Sequence, residues 1–399
     1  MATPPRVLLL AERFPPDIGG LARSGARTAG ALVKLGAQVD VLAWTRTAAP
    51  GALQTVADAG QVTPFARGVT LHRLGLFGST DLSMQHTLDV LGYLHAKRRY
   101  DLVWGHYLSP PGFLAVVFAE SAGIASTVSA RGNDVDQLMF PPGDFARLLW
   151  TLQRADVLTA ASADLGRKMA VLLGKDPGVE VIPNAVDVDV FSPGPADPAL
   201  RSRLGIADGE VVLGFSGELR HKKGLPFLLS ALSEVRRSRP ACLLVIGEVR
   251  PRDAEHLVAF RAEHPEDGAR ILISGALDTP EAIAAHLRVC DIYLQPSLWE
   301  GMPNALLEAM ACARPVVASD AGGIPEAVDH GRNGFVVPKA LLNHLGQACL
   351  DVLSLPPEHR AALGTAARQR IEERFQADAE AEVLRRVLAR AIPEARRSS

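Results

Sequence analysis

The strongest constraint in this chain is the run from Pro296 to Glu326, PSLWEGMPNALLEAMACARPVVASDAGGIPE. It follows an apolar, strand-like triplet, Ile292-Tyr293-Leu294, introduced by Cys290-Asp291. A loop then carries Glu300, Gly301 and Pro303, and the pattern from Asn304 to Ala313 is helical, with Leu306, Leu307 and Met310 on its apolar face. Pro303 suits the first turn of that helix, where its missing N–H would have been unpaired anyway. Pro315-Val316-Val317-Ala318 reads as a short buried parallel strand, and Gly322-Gly323 opens a second turn leading to Glu326. Acids and glycine turns therefore fall at the carboxyl ends of neighbouring strands, where open α/β sheets bind ligands.

The chemistry follows from residue type. A helix N-terminus presents N–H groups that attract an anion, and glycine lets backbone approach it closely. Carboxylates beside such a site repel phosphate, so Glu300 and Glu308 are suited to accept hydrogen bonds from hydroxyls. Hydroxyls and a diphosphate, with no evident nucleophile, describe a nucleotide sugar. The plainer alternative is that Glu300 caps the helix and Glu308 is a solvated helical residue. The embedding pattern decides against it: Glu300 and Glu308 eight positions apart, Gly301-Met302-Pro303 after the first acid, EAMA around the second, then PVVAS and GGIPE. This pattern closely resembles the donor-site signature of retaining glycosyltransferase family 4.

The first half of the chain has its own α/β pattern. Arg6 to Leu10 reads as a central strand, Pro15-Pro16-Asp17-Ile18-Gly19-Gly20 as a loop, a helix starts near Leu21, and Gln38 to Ala43 closes a βαβ unit. Gly19-Gly20 alone is a tight turn and lacks the dinucleotide spacing. The resemblance makes it the loop over the donor phosphates and acceptor. Residues 48 to 80 yield one clear strand, Val69 to Leu74. His106 ends the strand that starts at Asp101; a lone histidine there is ordinarily a packing residue, but the resemblance implies contact with the transferred sugar. Arg131-Gly132-Asn133-Asp134 follows another strand, either as a βα turn with a capping side chain or, by resemblance, as a substrate-facing loop with Arg131 toward the cleft. The triplets Asp134-Val135-Asp136 and Asp187-Val188-Asp189 are too short to assign a metal, and none is expected.

Pro183-Asn184-Ala185-Val186-Asp187 resembles the family's interdomain segment, with Asn184 at the cleft and Ala185 where glycine is common. A second α/β pattern begins at Val211 and reaches Gly217-Glu218-Leu219-Arg220-His221-Lys222-Lys223-Gly224 before a helix from Leu225. A glycine turn with cations ahead of a helix is a physical anion site. Lys223-Gly224 matches the family's phosphate-binding pair, while Glu218 stands where an arginine is usual; Arg220 is expected to supply that guanidinium, and Lys222 is read as solvated. The segments from Pro357 to Phe375 and Asp378 to Ala391 read as helices, the last one returning to the first domain by resemblance.

At 399 residues two domains are expected: 1–188 on the acceptor side, 189–375 for the nucleotide sugar, and a helix in 376–399. Net charge is −2, which offers no general surface for nucleic acid. The basic clusters Lys97-Arg98-Arg99 and Arg396-Arg397 read as solvated surface, with weak peripheral membrane contact as the alternative. Four dispersed cysteines lack metal or disulfide spacing. Val7 to Ala11 is too short for a signal peptide or a membrane span, so a cytoplasmic protein, at the inner face of the membrane if the basic clusters act, is expected.

The expected fold is α/β, the GT-B arrangement of two doubly wound Rossmann-like domains facing a central cleft. The resemblance implies a retaining glycosyltransferase acting on a nucleotide diphosphate sugar and a glycan, lipid-linked or small-molecule acceptor. His106, Arg220, Lys223 and Glu300 are expected to serve catalysis. Gly19, Gly20, Gly217, Gly301, Met302, Pro303, Asn304 and Glu308 are expected to bind the donor, and Arg131 and Asn184 the acceptor side, with no cofactor. The rivals are an epimerase on the same fold, which would need further acid/base side chains, and a sugar-nucleotide binding subunit. Oligomeric state is left open by the sequence.

Overall fold

A computed structural model describes residues 3–17, 19–132, 134–140 and 142–393. Arg396-Arg397, Ile18 of the first glycine loop and Asn133 lie outside the described residues. The chain divides into two compact units: one holds the residues up to Asn184 and again those from Asp378, and the other is Ala185–Ala377.

The first unit is built on an eight-stranded sheet in the order β3-β4-β2-β1-β5-β6-β7-β8. Its strands are β1 (Arg6–Ala11), β2 (Gln38–Thr45), β3 (Leu53–Val56), β4 (Thr70–Gly75), β5 (Leu102–His106), β6 (Ala125–Ala130), β7 (Val157–Ala160) and β8 (Glu180–Val181). All neighbours pair in parallel except β3, which runs antiparallel to β4 at the edge. That edge strand falls in the stretch where the sequence shows only one strand. Its four residues LQTV are half-buried or exposed, so no apolar run announces it.

In β1, Val7 and Leu9 enter one core and Leu8 and Leu10 the other, as a strand covered on both faces requires. The core of Val7 and Leu9 also contains Leu384, Val387, Leu388 and Ala391 of the helix Ala377–Ala391. Their spacing lays one apolar stripe along the helix, which explains why this C-terminal segment completes the first unit.

The second unit carries six parallel strands: β9 (Val211–Ser216), β10 (Ala241–Ile246), β11 (Ile271–Ile273), β12 (Ile292–Gln295), β13 (Val316–Ser319) and β14 (Phe335–Val337). Their order is β11-β10-β9-β12-β13-β14. Counted within the unit this is 3-2-1-4-5-6, the doubly wound order, and its direction reverses between β9 and β12. Leu213, Phe215, Leu243, Val245, Ile292, Leu294 and Val317 share a core with Leu228, Leu232 and Val235 of the helix Leu225–Arg236. All four cysteines are buried and unpaired.

Candidate functional site

In the second unit the site grows from the reversal point. After β9 the chain turns through Gly217, a short turn over His221–Lys223 and Gly224 before the helix Leu225–Arg236. Gly224 has φ 85°, and a Cβ there would lie 2.1 Å from the Pro296 carbonyl oxygen. Only glycine lets the loop after β9 rest against the loop after β12. The Leu298 N–H donates to the Lys222 carbonyl at 2.9 Å and fixes the same contact.

That contact brings Lys223 to Glu300. The ammonium donates to Glu300 Oε1, which also accepts from Ser297 Oγ at 2.7 Å and Gln295 Nε2 at 3.2 Å. Gln295 is held in turn by the Tyr293 hydroxyl at 2.8 Å. Glu300 is only 8% exposed, and burial pushes its pKa up; Lys223 and Ser297 outweigh burial and hold the carboxyl below its usual range. Glu300 is therefore an ionised acceptor with a fixed orientation, paired to a cation that is still partly open to solvent.

Lys222 is half-buried, which corrects its reading as a solvated residue. Burial lowers its pKa to about 8, against the opposing pull of Glu300, with Lys223 and Arg220 adding to the decrease. Arg220 Nη1 lies 3.4 Å from Glu218 Oε2, while its buried Nε has no hydrogen-bond partner among the described residues. Gly217 follows β9, and its N–H donates to the Ile246 carbonyl at 2.9 Å.

The helix after Glu300 spans Asn304–Ala311, with Pro303 as its N-cap rather than inside its first turn. Gly301, Met302 and Pro303 are buried, and the Gly301 carbonyl accepts from the Gly323 N–H at 2.8 Å. Asn304 Oδ1 is buried at the start of the helix without a partner among the described residues. Glu308 lies on the same helix and is 5% exposed, so it is not the solvated helical residue of the plainer alternative.

The first unit has its own reversal, between β1 and β5. Gly19 (φ 134°) caps the helix Gly20–Lys34 that follows β1, and His106 ends β5. Ser24 of that helix meets His106 Nε2 at 2.7 Å. His106 is buried; desolvation first, then Arg131 and Arg27, depress its pKa well below the ordinary histidine value, so the ring is neutral. Arg131 Nη2 donates to Asn184 Oδ1 at 2.8 Å and Arg27 Nε to Glu380 Oε2 at 2.8 Å. Arg131 has its pKa lowered to about 10 by burial and by Arg27.

Three of the four aspartates of the two short triplets are engaged by neighbouring groups. Asp134 accepts from the N–H groups of Leu108, Arg131 and Gly132. Asp136 pairs with Lys168 at 2.9 Å, and Asp187 accepts from the N–H of Asp189 at 3.1 Å. Among the described residues no group of three or more His, Cys, Asp or Glu is placed to hold a metal ion.

The family model described as "Glycosyl transferases group 1" matches residues 210–354, and that described as "Glycosyl transferase 4-like domain" matches residues 19–185. D-inositol 3-phosphate glycosyltransferase of Kineococcus radiotolerans is 30% identical, aligned over 96% of this chain and 93% of that protein. This chain belongs to the group 1 glycosyl transferases.

A second relative of this glycosyltransferase is the GDP-mannose-dependent alpha-(1-6)-phosphatidylinositol monomannoside mannosyltransferase of Mycobacterium tuberculosis H37Rv. It is 28% identical over 94% of this chain and 95% of that protein. Among solved structures, Anabaena HepE in complex with UDP-glucose superposes with a TM-score of 0.78 at 19% identity, covering 96% of this chain and 99% of that one. At that identity the likeness concerns the fold, which is GT-B.

Each unit's candidate site contains residues that the sequence alone does not mark. Gln295 and Ser297 were legible only as polar residues ending an apolar strand, with nothing to mark them as partners of Glu300. Ser24 and Arg27 carry no motif, and Glu380 reaches Arg27 from 353 residues away.

Proposed function

We propose that this glycosyltransferase moves a sugar from a nucleoside diphosphate sugar to an acceptor hydroxyl with retention of configuration and without a metal ion. The observation that carries the reading is the Lys223–Glu300 pair at the reversal point of the second sheet, a cation and an ionised acceptor held side by side. Lys223 meets the diphosphate, and Glu300 accepts from the sugar hydroxyls. Glu308 serves the ribose, and Gly217, Gly301, Met302, Pro303 and Asn304 line the donor.

In the reaction, the acceptor oxygen forms the new bond to the anomeric carbon as the bond from that carbon to the diphosphate oxygen breaks. The acceptor's proton passes to the departing phosphate. Negative charge grows on the leaving group, and donors already aimed at it lower the barrier. His106, being neutral, can hydrogen-bond the transferred sugar without adding charge. Gly19 and Gly20 bind the donor, and Arg131 and Asn184 belong to the acceptor side.

The relatives' names favour GDP-mannose as donor and an inositol-bearing phosphate as acceptor, and the cations Arg27 and Arg131 beside His106 suit an anionic acceptor. Among the described residues no helix is long and apolar enough to cross a membrane, so a lipid acceptor would be met at the surface of the bilayer.

The test is to incubate the protein with GDP-mannose, UDP-glucose and related donors, with and without inositol phosphate, in excess EDTA. Formation of an α-linked product with release of nucleoside diphosphate is expected. Activity lost in EDTA and restored only by manganese or magnesium would overturn the metal-free part, and an inverted product would overturn retention. Conversion to a different sugar nucleotide would identify an epimerase instead.

A further inference from the structure

We infer that Arg250 is a second guanidinium of the diphosphate site and that Glu218, an acid in a phosphate loop, is the residue that positions it. The inference rests on the donor-site reading above and extends it to residues that reading does not use.

The loops after β9 and β10 are joined by backbone. Gly217 N–H donates to the Ile246 carbonyl at 2.9 Å, Leu219 N–H to the Glu248 carbonyl at 2.8 Å, and Arg250 N–H to the Leu219 carbonyl at 2.9 Å. The buried Asp253 adds a side-chain tie, accepting from the His221 N–H at 3.2 Å. Gly247 has φ 138°, and a Cβ there would lie 2.5 Å from the Gly217 carbonyl oxygen. Glycine is thus required where the two loops touch. The consequence is that Arg250 is delivered to the loop that carries Glu218, Arg220 and Lys223.

Glu218 then faces two guanidinium groups. Its Oε1 is 3.3 Å from Arg250 Nε and its Oε2 is 3.4 Å from Arg220 Nη1. One carboxylate cannot neutralise two guanidinium groups, and Lys223 is already engaged by Glu300. Arg220, Arg250 and Lys223 against Glu218 and Glu300 leave a net positive charge, with Lys222 adding to it below about pH 8. Like charges this close are unfavourable unless an anion completes the set: after burial, which lowers them most, Arg250 further depresses the proton affinity of both Arg220 and Lys222. The buried, unpartnered Arg220 Nε is a further donor in want of an acceptor. A nucleoside diphosphate has the charge and the number of acceptor oxygens to complete this set, and a nucleoside monophosphate has fewer of both. Glu218 is therefore not a repeller of phosphate. It holds Arg220 and Arg250 apart at a fixed spacing, as a carboxylate between two guanidinium forks can.

The test uses the full chain and titration calorimetry with the nucleoside diphosphate that the wild type binds, chosen from GDP, UDP and ADP, and with the matching monophosphate. Loss of one charge-assisted donor is expected to weaken diphosphate binding about tenfold in Arg250→Ala, with monophosphate binding changed less than about twofold. Arg250→Lys should recover only part of the loss, because it keeps the charge but not the fork. Glu218→Ala should also weaken the diphosphate, whereas an acid that merely repels phosphate would, on removal, tighten it. Unchanged melting temperatures in Glu218→Ala and Arg250→Lys establish that the variants are folded. Diphosphate affinity untouched in Arg250→Ala, equal loss for both nucleotides, or tighter binding in Glu218→Ala would overturn the inference while leaving the donor-site reading intact. A wild type that binds none of the diphosphates would overturn both.

Discussion

Lys223 and Glu300 are 77 residues apart in sequence, yet the lysine ammonium donates directly to the glutamate carboxylate. They meet because β9 and β12 are neighbours in the sheet and the loop after each strand rises at the same edge. On the proposed reading the pair joins two functions of the donor site in one contact, so disturbing either partner should have effects that can be separated.

Lys223→Ala should lower turnover by about 10²–10³, the usual loss when a donor aimed at developing negative charge is removed. It also leaves the Glu300 carboxylate buried without its cation, which costs stability. The double variant Lys223→Ala with Glu300→Gln should regain the melting temperature of the wild type but not its turnover. Recovery of both in steady-state assays would show that Lys223 serves the fold alone.

On the proposed reading the two acids divide by ligand. Glu308→Gln should weaken binding of free nucleoside diphosphate and of the full donor by about tenfold, the scale of one hydrogen bond to a charged group. Glu300→Gln should leave nucleotide affinity within about threefold of wild type while turnover falls, because its partner is the sugar and the remaining cation on Lys223 still faces the phosphates. Equal loss of nucleotide binding in both variants, read by calorimetry, contradicts this division.

Lys222 should make nucleotide binding pH-dependent. Its pKa is lowered to about 8, so in the free protein near pH 8.5 a large share of the side chain is neutral. A bound diphosphate favours the charged form and raises that pKa, so binding takes up a proton above pH 8 and affinity falls as pH rises. Calorimetry in two buffers of different ionisation heat should report this uptake, and Lys222→Met should abolish it. Identical heats in the two buffers for the wild type would exclude the linkage.

His106 makes stability pH-dependent in the acid range. Its folded pKa lies well below the ordinary value of 6.5, mainly through burial, so below pH 6.5 the unfolded chain takes up a proton that the native state does not. The unfolded state is favoured as pH falls, with a limiting slope of about 1.4 kcal/mol per pH unit for one proton. Urea unfolding of His106→Asn between pH 5 and 7 should show a shallower decline than the wild type. Parallel declines would mean that the native histidine titrates normally.

Local chemistry was legible where neighbours in sequence are neighbours in space. Gly224 before a helix, the loop of Glu300, Gly301 and Pro303, the strand Val316–Ser319 and the helix that ends at Ala391 are all set by turn geometry, capping and periodicity. The edge strand β3 escaped because it is short, and its pairing partner β4 supplies the order that its own residues do not signal. The burial of Lys222 was equally hidden, since a lysine in a charged loop looks the same whether or not another loop covers it.

The sequence by itself determined that alternating strands and helices would form and which residues would stand at the strand ends, because backbone propensity and hydrophobic period act over a few residues. Only the tertiary structure decided that Lys223 would pair with Glu300, that Glu218 would face both Arg220 and Arg250, and that Glu380 would reach Arg27. Those contacts depend on strand order and on loops closing at glycines such as Gly224 and Gly247, and so on which distant segments share one edge of a sheet. No local pattern encodes that choice; it is made by the burial of whole strands against one another.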